Sequence, residues 1–370
     1  MQPRLGKRIR ALREANKLSQ ADLARIFGLK DRQSVSAVET GARRMTADEM
    51  LLAVEKLGAS LDYFTDPFLL AGEGRFSWRQ NGADPESLQA YERKAGRWIG
   101  AYRHLAAQAG CPGPLLRRSL ALAADASPRD VMHAGERFAE EFGLGKTPAA
   151  RLAGVMEREL HILVLMVDAE PGISGAACRL PELDAVLIAR HELPGRRHFD
   201  LAHELFHVLT WDTMPPEHAE AVGGTAGKRA ERLANRFAAS VLMPTAMVEA
   251  FGPWSGLSGE RLIARLNPVA DEMQVSASAL RWRLVELGEI DQASAQEISE
   301  AALHMNGRNA RTDVAPALFS RRFMEVVALT LEQDCLSVER AIDLLDLAPD
   351  GLEALFAAHD VECPKNLKGR

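Results

Sequence analysis

At 370 residues the chain is long enough for two or three domains, each with a core of its own. Apolar residues make up 47% and charged residues 26%, ordinary values for a globular protein; no apolar run approaches the ~18–20 residues of a membrane span, and the basic N-terminus has no apolar stretch behind it, so neither a membrane anchor nor a secretion signal is expected. The net charge of −6 is unevenly spread: residues 1–44 hold eleven Lys or Arg against four acids, a surplus of seven, which leaves −13 for the remainder. A basic module joined to an acidic body suggests that the first segment meets a polyanion while the rest does other work.

Residues 4–66 read as four or five short helices. Leu5, Ile9 and Leu12 form an apolar stripe that ends at Asn16-Lys17-Leu18. Ser19 looks like the N-cap of a helix carrying Leu23, Ala24 and Phe27, with Gly28 as its stop. Val35 and Val38 mark the next helix, ended by Gly41, and Thr46 caps a last one through Met50, Leu51, Val54 and Leu57. Short helices joined by tight turns are what a helix-turn-helix unit requires.

This segment resembles the Xre-type repressor family of helix-turn-helix domains. The residues that carry the resemblance are Leu18-Ser19-Gln20-Ala21-Asp22-Leu23-Ala24, then Val35-Ser36-Ala37-Val38-Glu39-Thr40-Gly41, then Arg43-Arg44. A recognition helix presents its N-terminal residues to base edges in the major groove, which here makes Arg32, Gln33, Ser34 and Ala37 the candidate base readers. The resemblance implies Gln20, Arg43 and Arg44 as phosphate contacts, double-stranded operator DNA as the partner, and a homodimer on paired half-sites. Glu39 would repel DNA and is expected instead to pair with an arginine of the first helix.

Pro67–Ala83, with Gly72, Gly74 and Gly82 among scattered charges, reads as a linker. Pro85–Ala109 and Pro128–Phe142 look helical, His161–Asp168 is a strand, and Ala185–Ala189 is its hairpin or sheet neighbour. From Gly195 onward helices dominate, with breaks expected at Pro244, Gly252-Pro253, Pro268 and Gly307.

The sharpest local signal is His203-Glu204-Leu205-Phe206-His207. Positions i and i+4 share one face of a helix, so both imidazoles can reach one ion, while Glu204 can hold a water against it as general base. A catalytic site of this kind needs a third protein ligand and an open position. Glu231, on the strong helix ERLANRFAASVLMP, is the candidate. HExxH followed by ExxAxxFAxxLLMP resembles the ImmA/IrrE family of metallopeptidases, over roughly residues 140–290. The resemblance implies His203, His207 and Glu231 as Zn2+ ligands and Glu204 as the catalytic base. Two residues depart from the family's usual pattern: Phe206 stands where Gly is frequent, and Val241 replaces the first Leu of LLMP.

Other residues compete for attention. His218 and Glu220 read as solvated loop residues, and His191 and His198 as plain surface residues, with substrate contact their less favoured role; Asp200 and Asn235 are candidates for orienting the ligands, Asp200 equally an acid near a helix start. The four cysteines, Cys111, Cys178, Cys335 and Cys363, form no CxxC pair, which argues against a Cys-based zinc site or a disulfide framework and for a reducing, cytoplasmic compartment. Cys111 reads as a free loop thiol, with capture of the open zinc position as its less favoured role.

The expected fold class is mainly α with a small β-sheet (α+β). Residues 1–66 form an all-α helix-turn-helix domain, 67–83 a linker, 84–305 a zincin-like metallopeptidase domain and 306–370 a helical C-terminal unit for packing or dimerisation. Two functional readings follow. In the first, a DNA-binding regulator carries a zinc endopeptidase that relieves repression on a stress signal by cleaving an Xre-type repressor, either a partner or its own N-terminal module within the linker. In the alternative, the chain is an antitoxin or repressor that binds a toxin partner and keeps the peptidase fold as a scaffold.

Overall fold

Side chains that bond their own backbone start most of the helices in the N-terminal segment. It contains α1 (Gln2–Ala15), α2 (Gln20–Ile26), α3 (Arg32–Glu39), α4 (Ala47–Leu57) and α5 (Leu61–Thr65). Ser19 and Thr46 form reciprocal capping boxes with Asp22 and Glu49, and Asp31 caps α3 by accepting from the Ser34 amide. Gly28 follows α2 at φ 64, the left-handed conformation that a Cβ disfavours. Ile9, Leu23, Val35, Val38 and Ala53 close a small core of their own. The computed structural model describes residues 2–111, 117–221, 227–304, 315–348, 350–365 and 367.

The remainder runs β1 (Arg75–Gln80), α6 (Pro85–Gln108), α7 (Pro128–Glu141), α8 (Pro148–Arg158), β2 (Leu163–Val167), β3 (Ile173–Arg179), β4 (Asp184–Ala189), α9 (Pro194–Thr210) and β5 (Ala219–Ala221). Then follow α10 (Gly227–Leu242), α11 (Thr245–Ala250), α12 (Gly259–Met273), α13 (Ala277–Leu287), α14 (Gln292–Gln296), α15 (Arg321–Glu332), α16 (Val338–Leu345) and α17 (Gly351–Ala358). The fold is α+β, with a five-stranded sheet in the order β2-β4-β3-β1-β5. β2 pairs with β4 in parallel, so the two are sheet neighbours and not a hairpin; β3 runs antiparallel to both β4 and β1.

Helices cover both faces of the sheet, which is why its strands are apolar on both sides. Along β2, Leu163, Leu165 and Val167 face a core built with α6 and α15–α17, while Val164 faces the core of α7–α13. No described helix is long and apolar enough to cross a membrane.

Three expectations need correction. The segment 67–83 is not a loose linker along its length: β1 lies inside it, pairs with β3 on one side and with β5 on the other, and buries Phe76, Ser77 and Trp78. The residues around β1 are equally engaged. Glu73 is buried and held by Arg8 of α1 and Arg103 of α6, and Arg8 also donates to the carbonyls of Phe64 and Leu69. Pro268 does not break the chain but lies inside α12, where buried Leu266, Val269 and Ala270 on either side hold the helix through the missing donor; Gly307 lies outside the described residues. Finally, the C-terminal helices do not stand apart. Phe319, Phe323 and Phe356 share one core with α6 and the sheet, and Phe319 bridges to Met166 at the β2 edge.

Candidate metal centre and nucleic-acid interface

The candidate metal site rests on two helices that pack closely. His203 and His207 lie one turn apart on α9, beneath β3 and β4, and Glu231 faces them from α10. The Nε2 atoms of the two histidines are 3.1 Å apart, and Glu231 places its carboxylate oxygens 3.2 Å from His203 Nε2 and 3.0 Å from His207 Nε2. Three donors separated by these distances match the edges of a tetrahedron about an ion ~2.0–2.1 Å from each ligand. They are the described cluster of His, Cys, Asp and Glu groups with metal-binding geometry.

The surroundings select the right protonation states. Asn235, one turn beyond Glu231, sets its Oδ1 2.9 Å from His203 Nδ1. With that oxygen accepting, Nδ1 carries the proton and Nε2 presents its lone pair, the arrangement that fixes a metal-ligating tautomer. Burial, with the charge of Arg79 added, pushes the His203 imidazole down to about 3, so it is a neutral donor at ordinary pH. Glu204 is buried beside it, and its Oε1 has no hydrogen-bond partner among the described residues. Burial pushes this carboxyl well up, Arg79 opposes that, and Glu231 and Asp200 reinforce it. A buried, unsatisfied carboxyl next to converging imidazoles fits a group that exchanges a proton with a water or substrate; the donor set and this orphaned atom together suit a divalent ion.

Asn235 thus bonds His203 from α10, whereas Asp200 pairs with Arg79. Its Oδ1 is 3.2 Å from Arg79 Nε, and burial pushes its carboxyl up to about 6 against the pull of Arg79 and Arg196. Arg79 was invisible to the sequence reading because it sits on β1. The signal that could have found the strand is the alternation of Phe76 and Trp78 with Ser77 and Arg79.

The remaining candidates disperse. His218 pairs with Glu92, His191 with Asp168, and His198 contacts the Gln274 carbonyl oxygen; the Glu220 side chain lies outside the described residues. Cys111 is exposed just beyond α6, its Sγ 3.6 Å from the Ala109 carbonyl oxygen, and belongs to no metal cluster among the described residues. Phe206 is buried between the two helices, its ring 5.5 Å from that of Phe237 and edge-on to the His207 ring at 5.8 Å.

At the other end, Arg32 and Gln33 are exposed at the start of α3, with Ser34 and Ala37 half-buried beside them. Glu39 is buried and pairs with Arg13 of α1 at 2.6 Å, as expected, and it also accepts from Gln20 Nε2 at 2.9 Å. Arg43 grips Glu49 through two donors, and Arg44 is exposed. Gln20 and Arg43 thus already serve the fold before any phosphate is considered.

Comparison with known proteins agrees with this division. Residues 9–64 match the helix-turn-helix family model, and residues 162–285 match that of the IrrE N-terminal-like domain. The chain joins a helix-turn-helix domain to an IrrE N-terminal-like domain. The IrrE-like part contains α9 and α10, and with them every residue of the metal cluster. The chain is 31% identical over 153 residues to the radiation response metalloprotease IrrE of Deinococcus radiodurans, a match over 37% of this chain and 43% of that protein. It thus spans less than half the length of that relative. A transcriptional regulator of Mycobacterium tuberculosis is 24% identical, with 42% of this chain and 46% of that one covered at a TM-score of 0.31, a likeness that adds no constraint.

Proposed function

We propose that this protein is a DNA-binding transcriptional regulator whose IrrE-like domain is a zinc-dependent endopeptidase. On a stress signal it relieves repression by cleaving an Xre-type repressor. The observation that carries this reading is the convergence of His203, His207 and Glu231 beside the buried, unpartnered Glu204. A zinc ion there would supply Lewis acidity to water and to a scissile carbonyl. Glu204 would take the proton from that water at Oε1 and return it to the departing amide nitrogen. The stress signal is drawn from the relative's name, which describes a radiation response.

On DNA, Arg32 and Gln33 would read bases from the exposed start of α3, with Ser34 and Ala37 beside them and Arg44 on phosphate. Leu51 and Leu61 are exposed on the same domain and suit a homodimer contact. The pairing of β1 on both edges favours a partner repressor as substrate over the chain's own segment 75–80, because a paired strand cannot enter an active site extended.

Metal content of the purified chain, set beside His203→Ala, tests the reading. About one zinc per native chain and almost none in the variant, with cleavage of a co-expressed repressor, would support it. Metal-free protein that still binds DNA would replace it with the antitoxin or repressor reading, in which the fold serves as a scaffold for a toxin partner.

A further inference from the structure

A cleft of about 540 Å³ opens between α9, α10 and α13, within the range of ligand sites. It shares walls with the metal centre: Asn235, which holds His203, and Asp200, one turn of α9 before His203, both line it. Its floor is aromatic. Phe199 lies on one side, and Trp282 on the other is 40% exposed, one of the few large apolar side chains left open to solvent.

The charge of the cleft is unbalanced. Each carboxylate on its wall is already engaged: Asp200 by Arg79, Glu286 by Arg236, and Glu300 by Arg281. Arg232 is exposed on its lip, directly after the metal ligand Glu231, and has no ion pair among the described residues. An aromatic floor with one uncommitted guanidinium favours an occupant that is bulky and apolar at one point and anionic at the next.

We propose that this cleft is a substrate subsite, receiving a peptide segment with a large apolar side chain beside a carboxylate. The apolar side chain lies on Trp282 and Phe199, and the carboxylate meets Arg232. An extended peptide advances ~3.3 Å per residue, so a residue one or two positions from a bond held at the metal centre reaches the turns of α9 and α10 that carry Asp200 and Asn235. The assignment rests on the peptidase reading for its reason that a peptide arrives.

The test uses the full-length, zinc-loaded chain carrying Glu204→Gln, so that binding is read without cleavage. Fluorescein-labelled hexapeptides differing only in a central Phe-Asp, Phe-Lys or Ala-Asp pair are titrated by fluorescence anisotropy. The Phe-Asp peptide is expected to bind at least tenfold more tightly than either other. Trp282→Ala and Arg232→Glu, both at exposed positions, are each expected to erase that preference while zinc content stays unchanged. Equal affinities for the three peptides would overturn the proposal. So would a preference that survives both substitutions, or displacement of the peptide by an equal concentration of duplex oligonucleotide, which would assign the cleft to nucleic acid. A selective chain that never cleaves the Phe-Asp peptide with Glu204 intact would remove the peptidase reading and leave the cleft's preference supported.

Discussion

The two ends of the molecule handle buried charge in opposite ways. In the helix-turn-helix domain every buried carboxylate has a partner: Glu39 meets Arg13 and Gln20, and Glu49 meets Arg43 and the Thr46 amide. Around the candidate metal centre Glu204 is buried with Oε1 unmatched among the described residues, and Asp200 is held so far from water that its carboxyl rises to about 6. Satisfied pairs fix one arrangement of helices, which a DNA-reading surface requires. An unsatisfied carboxyl costs stability and is retained where a proton has to move.

Glu204→Gln breaks that contrast most sharply. Repressor cleavage is expected to fall roughly 10²–10⁴-fold, the usual worth of a general base, with zinc content and operator affinity unchanged. A cleavage assay beside metal analysis and a DNA-binding titration checks all three. Undiminished cleavage would remove Glu204 from the chemistry.

Asp200 gives the second test. Because burial pushes its folded carboxyl up to about 6, well above the usual aspartate range, the folded chain favours the protonated form. The stability this contributes is present below the unfolded pKa and is lost as pH rises through about 6. In chelator-treated protein the native chain should lose about 2 kcal/mol relative to Asp200→Asn between pH 4 and 7. Urea titrations of both chains across that range would show it, and parallel curves would contradict it.

Each end also has a glycine where two helices meet. A Cβ at Gly6 of α1 would sit 2.4 Å from the Val38 carbonyl oxygen, and one at Gly135 of α7 would sit 2.8 Å from Ser240 Cβ and 2.9 Å from the Phe237 carbonyl oxygen of α10. Either Gly→Ala change should cost about 2 kcal/mol through overpacking. The consequences should separate: Gly6→Ala weakens operator binding, whereas Gly135→Ala shifts the helix that carries Glu231 and weakens zinc retention. Equal effects of both changes on both readouts would mean that the two ends do not behave independently.

What the sequence disclosed follows the range of the interactions involved. The histidine pair was legible because i and i+4 on one helix need no other element, and the caps Ser19 and Thr46 were legible for the same reason. β3 left little signal: its Ser174-Gly175-Ala176-Ala177 run is small because α9 packs against it, and a Cβ at Gly175 would lie 3.5 Å from Glu204 Cγ. β1 was hidden among glycines, and the role of Arg79 depends on a pairing with a strand about a hundred residues away. The likeness of the C-terminal helices to a separate unit failed because nothing local reveals that Phe319 and Phe323 share a core with α6.

The smallest effect expected is that of Arg13→Ala. Removing the guanidinium leaves Glu39 buried with only the Gln20 amide, and losing one partner of a buried pair is ordinarily costly. Arg13 keeps some exposure, and water entering its place can solvate part of the carboxylate, so a loss of about 1 kcal/mol is expected. Arg13 also donates to the Leu18 carbonyl oxygen, at the turn that leads into α2, so the change should loosen the placement of α2 against α3. Gln20, freed from sharing Glu39, gains no route to phosphate by this, since it becomes the sole described side-chain donor to that carboxylate. Operator affinity should therefore fall severalfold with zinc content untouched. A variant that bound the operator more tightly would show that Gln20 and Glu39 are held away from the DNA by Arg13, and that the paired end of the molecule also keeps part of its function in reserve.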